Sequence, residues 1–151
     1  MCFACSVAPD LDSIGFQLGI PYHHWLGHRG FSHSILFALI LALIASLFIL
    51  SIEKTAKRRF MFFLAFFICA FIHDMLDAMT NGGLGVAFFS PLSEQRFFLP
   101  WRPIQVSPIS PKRFFTSRGL AVLSNEFIYV ILPSLLVTIV AIWKRKSHRT
   151  P

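Results

Sequence analysis

A chain of 151 residues is one domain's worth of polypeptide, yet 55% of it is hydrophobic, 14% is charged and the mean hydropathy is +0.65, which excludes an ordinary small soluble core and points to a membrane protein. A net charge of +7, from 14 Lys+Arg against 7 Asp+Glu, would suit nucleic acid in a soluble protein. Here the basic residues flank apolar runs, so membrane orientation explains them and no nucleic-acid partner is expected.

From the N-terminus, Met1 to Ala8 is apolar but far shorter than the ~20 residues a helical span needs, and it reads as the stump of a helix. Cys2 and Cys5 form a single C-x-x-C with no second pair to complete a zinc site, and Cys69 lies inside an apolar run, so all three read as apolar filler. In Pro9-Asp10-Leu11-Asp12 the proline ends whatever precedes it, and aspartates at i, i+2 can turn toward one centre; an ordinary Asx turn accounts for them equally well. Gly15, Gly19 and Pro21 keep residues 14–26 irregular or briefly helical, with Tyr22 and Trp25 suited to the membrane interface.

The organising stretch is His28-Arg29-Gly30-Phe31-Ser32-His33-Ser34, which opens directly onto an apolar run. Residues 35–52 contain only Ser46 and Ser51 as polar residues and read as a first transmembrane helix, with Ser32 or Ser34 as N-cap. A link at 53–59 carries four positive charges, and residues 60–77 return as a second span, so the two should form a hairpin. That second span ends in His73, Asp74 and Asp77. At 100° per residue His73 and Asp77 share one face, Thr80 falls beside them, and Asp74 stands aside. A lone histidine at a helix end is ordinarily snorkelling or hydrogen-bonded. Here the same leaflet collects Asp10, Asp12, His28 and His33, and shared cation binding relieves the cost of unpaired charges beside hydrocarbon.

Residues 78–126, with Gly82, Gly83 and Gly85 close after Asn81 and five prolines, form a predicted loop region, partly interfacial, folded over the site. Its aromatic residues are interleaved with Arg96, Arg102, Lys112, Arg113 and Arg118. They read as a cationic pocket for an anionic headgroup or phosphate ester, or else as generic attraction to acidic lipids. Residues 127–143 form a third span, kinked at Pro133 and followed by a basic tail. The expected fold is therefore all-α: one membrane-embedded domain over residues 1–151 with three spans. The short link and the tail hold eight of the fourteen Lys+Arg, so the positive-inside rule puts them in the cytoplasm and the His/Asp site on the outer face.

These residues resemble the YdjM-type family of bacterial inner-membrane-associated proteins described as metal-dependent hydrolases. The resemblance is carried by Pro9-Asp10-Leu11-Asp12, by Gly27 through Ser34, by His73 with Asp74, Asp77, Thr80 and Gly82-Gly83, and by Phe89-Ser90-Pro91 through Arg96 to Pro100-Trp101-Arg102-Pro103. It implies an inner-membrane, multi-pass protein with hydrolase activity. It also implies a fourth, N-terminal span, truncated here to Met1–Ala8.

The expected metal ligands are Asp10, Asp12, His28, His33, His73 and Asp77. Mixed imidazole and carboxylate donors suit Zn, Mn or Fe, and six candidates are enough for one divalent ion or two. Arg29, with Arg96 or Arg102, is expected to hold negative charge on a substrate, and Asp74 to act as general base or as partner to an imidazole. Ser32 or Ser34 as a nucleophile lacks the strand-turn-helix elbow such a serine favours. The leading functional expectation is hydrolysis of a lipid or of a phosphorylated or ester amphiphile at the bilayer surface. Against it stands a non-enzymatic interaction or stress-response protein with a structural metal cluster. A proton-relay transporter fits less well, because the ionisable residues gather at helix ends rather than at the midplane.

Overall fold

The computed structural model describes residues 1–107 and 115–147. Lys112 and Arg113 of the predicted cationic loop, and His148 and Arg149 of the tail, lie outside the described residues. The chain divides into two units, Met1–Arg102 and Pro103–Pro151. Among the described residues the fold is all-helical, with no strand; an isolated antiparallel bridge pairs Val86 with Phe97.

In the first unit, α1 (Cys2–Val7) passes into a 3-10 turn over Ala8–Ser13 that carries both aspartates, and α2 (Ile14–Gln17) follows. A second 3-10 turn, Phe31–His33, leads into α3 (Ile35–Leu47). Ser34 caps α3, its hydroxyl accepting from the Phe37 amide at 3.1 Å, as expected of a helix entered from a polar stretch. The α-helix stops at Leu47, short of the predicted 52, so its 13 residues rise about 20 Å against a hydrocarbon thickness of ~30 Å. The cause is local. Arg59 reaches back to the Leu50 carbonyl at 3.1 Å and the Glu53 carbonyl at 2.7 Å, holding the next residues in tight turns.

Helix α4 (Ala56–Ala78) begins four residues before the predicted span, because Lys57, Arg58 and Arg59 form its first turn rather than a link. It packs on α3 as the expected hairpin. Small residues make the seam: Ala38, Ala42 and Ala45 of α3 are buried, as are Phe66, Ala70, Asp74 and Ala78 at four-residue intervals on α4. Asp74 therefore lies in the buried seam, while His73 and Asp77 occupy the adjacent face. Helix α1 packs beside α4, with Cys5 in the core among Ala42, Ala45 and Phe66. Beyond α4 the chain folds back, the Leu99 amide donating to the Ala78 carbonyl at 2.9 Å, and buries Val86, Ala87 and Phe88.

In the second unit, α5 (Ser117–Glu126) runs through a π-helical turn, Phe127–Ile131, into α6 (Leu132–Ser147). The predicted loop thus ends ten residues early. Hydropathy alone missed α5 because its polar residues Ser117, Arg118, Ser124 and Asn125 dilute an amphipathic helix. The π turn lies just ahead of Pro133, where the absent proline N–H disturbs regular helical bonding. Two helices, Ala56–Ala78 and Ser117–Ser147, are long and apolar enough to cross a membrane.

Candidate metal centre

Four side-chain atoms from three stretches of chain converge. His33 Nε2 lies 3.2 Å from Asp77 Oδ2, 3.4 Å from His73 Nε2 and 3.6 Å from Asp10 Oδ1. His73 Nε2 lies 3.5 Å from Asp10 Oδ1 and 3.9 Å from Asp77 Oδ2. A tetrahedron of donors ~2.1 Å from a central ion has edges of about 3.4 Å, a value that these five separations, 3.2 to 3.9 Å, bracket. Asp77 Oδ2 is buried with no well-aligned hydrogen bond, and the nitrogens of His33 and His73 face it at 3.2 and 3.9 Å. The donor chemistry fits: two imidazole nitrogens and two carboxylate oxygens are ordinary ligands of a divalent ion.

Local sequence explains the convergence. His73 and Asp77 are i, i+4 on α4, Pro9 starts the 3-10 turn that presents Asp10, and His33 ends the turn preceding α3. His33 is fully buried, whereas the Asp10 side chain is 49% exposed, so the cluster opens to its surroundings at Asp10.

Asp12 and His28 lie one layer back. Asp12 accepts from His28 Nδ1 at 2.6 Å, from the Arg29 amide at 3.0 Å and from the Ser32 hydroxyl, and it faces His33 Nδ1 at 3.1 Å. Asp12, His28 and His33 do bring ligand atoms within 4.8 Å of one another. Yet 2.6 Å is hydrogen-bond distance, well under the edge a metal ion would impose. The arrangement is that of a carboxylate orienting a ligand imidazole through its second nitrogen. His28 is itself packed against Phe16 and Tyr22, with ring centroids 5.7 and 5.5 Å away.

The electrostatics follow from this packing. Burial alone would raise the Asp10 and Asp12 carboxyls, but the imidazoles of His33 and His73 facing Asp10, and those of His28 and His33 at Asp12, outweigh it and hold both well below the usual carboxylate range. Burial lowers His33, but its carboxylate partners Asp10, Asp12 and Asp77 together raise it well above an ordinary histidine. These carboxylates thus favour the protonated imidazole of His33, a proton that an ion would have to displace to use Nε2 as a ligand.

Arg29, expected from sequence to face a substrate, is buried and engaged within the protein. Its Nη2 donates to Asp77 Oδ1 at 2.7 Å and its Nη1 to Thr80 Oγ1 at 2.8 Å and to the Gly82 carbonyl at 3.2 Å; its own carbonyl accepts from the Ala87 amide at 3.1 Å. It fixes which oxygen of Asp77 turns toward His33. Arg29 also adopts φ 61°, an uncommon conformation for a non-glycine residue, at the point where these contacts meet. Arg96 bridges the carbonyls of Tyr22 and His28 at 3.0 and 2.9 Å, and Arg102 is exposed, over the Phe98 ring at 4.7 Å. Asp74 is buried with both carboxylate oxygens unpartnered. Ser32 donates to Asp12, and Ser34 is an N-cap.

Sequence reasoning gave no structural part to Gly27 and Gly30. A Cβ on either would lie 2.3 Å from a backbone oxygen, of Pro21 and Trp25 respectively, so the loop carrying His28 closes on itself only with glycine there. The G-x-x-G spacing around His28-Arg29 was the available signal.

A profile of the family described as YdjM inner membrane protein matches residues 1–148. The chain belongs to this family. Inner membrane protein YbcI of Escherichia coli (strain K12) is 34% identical over 141 residues, 93% of this chain and 80% of that protein. No solved structure matches. This is an inner membrane protein family, and the resemblance read from the His/Asp motifs is borne out.

Proposed function

We propose that this inner membrane protein is a metal-dependent hydrolase acting at the bilayer surface on a lipid or another phosphorylated or ester amphiphile. The observation that carries the reading is the convergence of one donor atom each from Asp10, His33, His73 and Asp77, at separations of 3.2 to 3.9 Å. Four N/O donors at those edges favour one zinc ion over Mn or Fe, and over a pair of ions. When bound, the ion supplies Lewis acidity for a phosphoryl or acyl oxygen and makes water acidic enough to deprotonate near neutral pH.

The chain's own groups divide the remaining work. Asp12 orients His33, Arg29 orients Asp77, and the half-exposed Asp10 marks the side from which a substrate enters. Asp74 is turned into the α3 seam, away from the donor face, so this geometry gives no support to the general base expected there from sequence. Arg102, exposed, is available to an anionic headgroup, whereas Arg96 serves mainly to hold the 22–28 loop. With Ile35–Leu47 lengthened by its following turns, the chain crosses the membrane three times, link and tail inside and the cluster outside, as the charge distribution favours.

One observation favours a second reading. Four protein donors can close a tetrahedral site completely, as structural zinc sites do. Metal analysis of the purified protein, with assays on a generic phosphoester and a generic ester, tests both. One zinc per chain, lost in His33→Ala and Asp77→Ala, together with metal-dependent turnover, supports the hydrolase. Metal without turnover supports the structural site, and absence of metal refutes both.

A further inference from the structure

Residues 2–17 run as one unbroken series of helical turns: α1, the 3-10 turn carrying both aspartates, and α2. One side of this series is buried, at Cys5, Pro9 and Gly15. The other side carries Phe3, Val7, Leu11, Ile14 and Leu18 at steps of three or four residues, the repeat of a helix face, and each is 43 to 81% exposed. From Phe3 to Gly19 the exposed residues include a single charge, Asp10, which is one of the four donors. The row therefore passes the open side of the cluster, with apolar side chains before and after it.

Five large apolar side chains in succession on a face turned to water would be an aggregation-prone patch. In this inner membrane protein family α1 packs against α4, one of the two helices long and apolar enough to cross a membrane, and the outer side of such a pair is offered to acyl chains. Just beyond the row, the exposed Trp25 suits the headgroup level. We propose that this row is a docking surface for the acyl chains of a bilayer phospholipid, which brings the lipid's headgroup to the Asp10 side of the cluster. The substrate class is then a lipid drawn from within the bilayer, not an amphiphile taken from water. An acyl chain needs apolar area and no directional partner, and the row supplies that area on both sides of the donor. The inference deepens the proposed function and rests on it only for the fate of the headgroup.

The test uses the full chain. In vesicles of phosphatidylethanolamine and phosphatidylglycerol, a nitroxide attached to a genetically encoded ketone residue at position 7, 11 or 14 should collide more often with oxygen than with a water-soluble nickel chelate. Preference for the chelate at these positions would overturn the docking surface. In detergent, titration with phosphatidylglycerol followed by native mass spectrometry should show half-saturation at a lipid concentration about tenfold higher, or more, for Leu11→Gln/Ile14→Gln than for the wild type, because two side chains lose their apolar burial. Equal half-saturation would overturn the proposal, as would equally tight binding of glycerophosphoglycerol, which has the headgroup and no chains. Both substituted positions are exposed, and if the double variant still fails to fold the nitroxide scan decides. Lipid bound in this substitution-sensitive way but never cleaved would refute the hydrolase and leave the docking surface standing.

Discussion

Asp12→Asn separates a residue that holds a metal from one that aims a ligand. Asp12 collects four donors, from His28, the Arg29 amide, Ser32 and His33. Asparagine preserves the shape and leaves one acceptor oxygen, but removes the negative charge that polarises His33 through Nδ1. Loss of such an outer carboxylate typically weakens metal binding about 10–100-fold, or roughly 1.4–2.8 kcal/mol. A direct ligand would behave otherwise, because neutralising one of four donors should abolish stoichiometric loading under the same conditions. The assay is competition for zinc between purified protein and a chromogenic chelator, with His33→Ala as the ligand-loss reference. Asp12→Asn should still bind one equivalent, at an affinity lower by that factor. Unchanged affinity would refute the orienting role, and complete loss of the equivalent would make Asp12 a ligand.

pH should move the metal-free and metal-loaded proteins in opposite directions. The raised His33 pKa means that its protonated form contributes stability fully present below the unfolded value of about 6.5 and lost as pH rises through the folded value. The thermal midpoint of chelator-treated protein should therefore fall across that window, while zinc affinity should rise as the competing proton becomes easier to displace; parallel trends would contradict an imidazolium at His33. Arg29→Ala should destabilise the protein by up to about 3 kcal/mol, since it leaves His33 alone to offset the Asp77 charge, and a denaturation shift below about 1 kcal/mol would show that Asp77 does not depend on Arg29.

The donors on α4 were legible because a helix has a fixed period: His73 and Asp77 share a face whatever surrounds them, and that period also turns Asp74 away into the α3 seam. The division between the inner and outer layers was not legible. Asp10 and Asp12, like His28 and His33, are equivalent as residue types in one short segment, and only the 3-10 geometry decides which of each pair points at the cluster. Arg29 misled for a similar reason, since a charged residue in a glycine-flanked loop reads as accessible until Asp77, Thr80 and Gly82 are seen around it. Hydropathy found the apolar runs but misjudged their ends. Arg59 stops one helix through backbone contacts that no hydropathy window contains, and α5 begins in polar residues that the window discounts.

The order of the four donors along the chain also governs when the centre can first exist. Asp10 and His33 come early in the chain, but His73 and Asp77 follow only near the end of α4. An ion held by all four would be gripped only once α1, α3 and α4 have reached their places, so its uptake would report their assembly. The segment from Pro103 onward supplies none of these four donors.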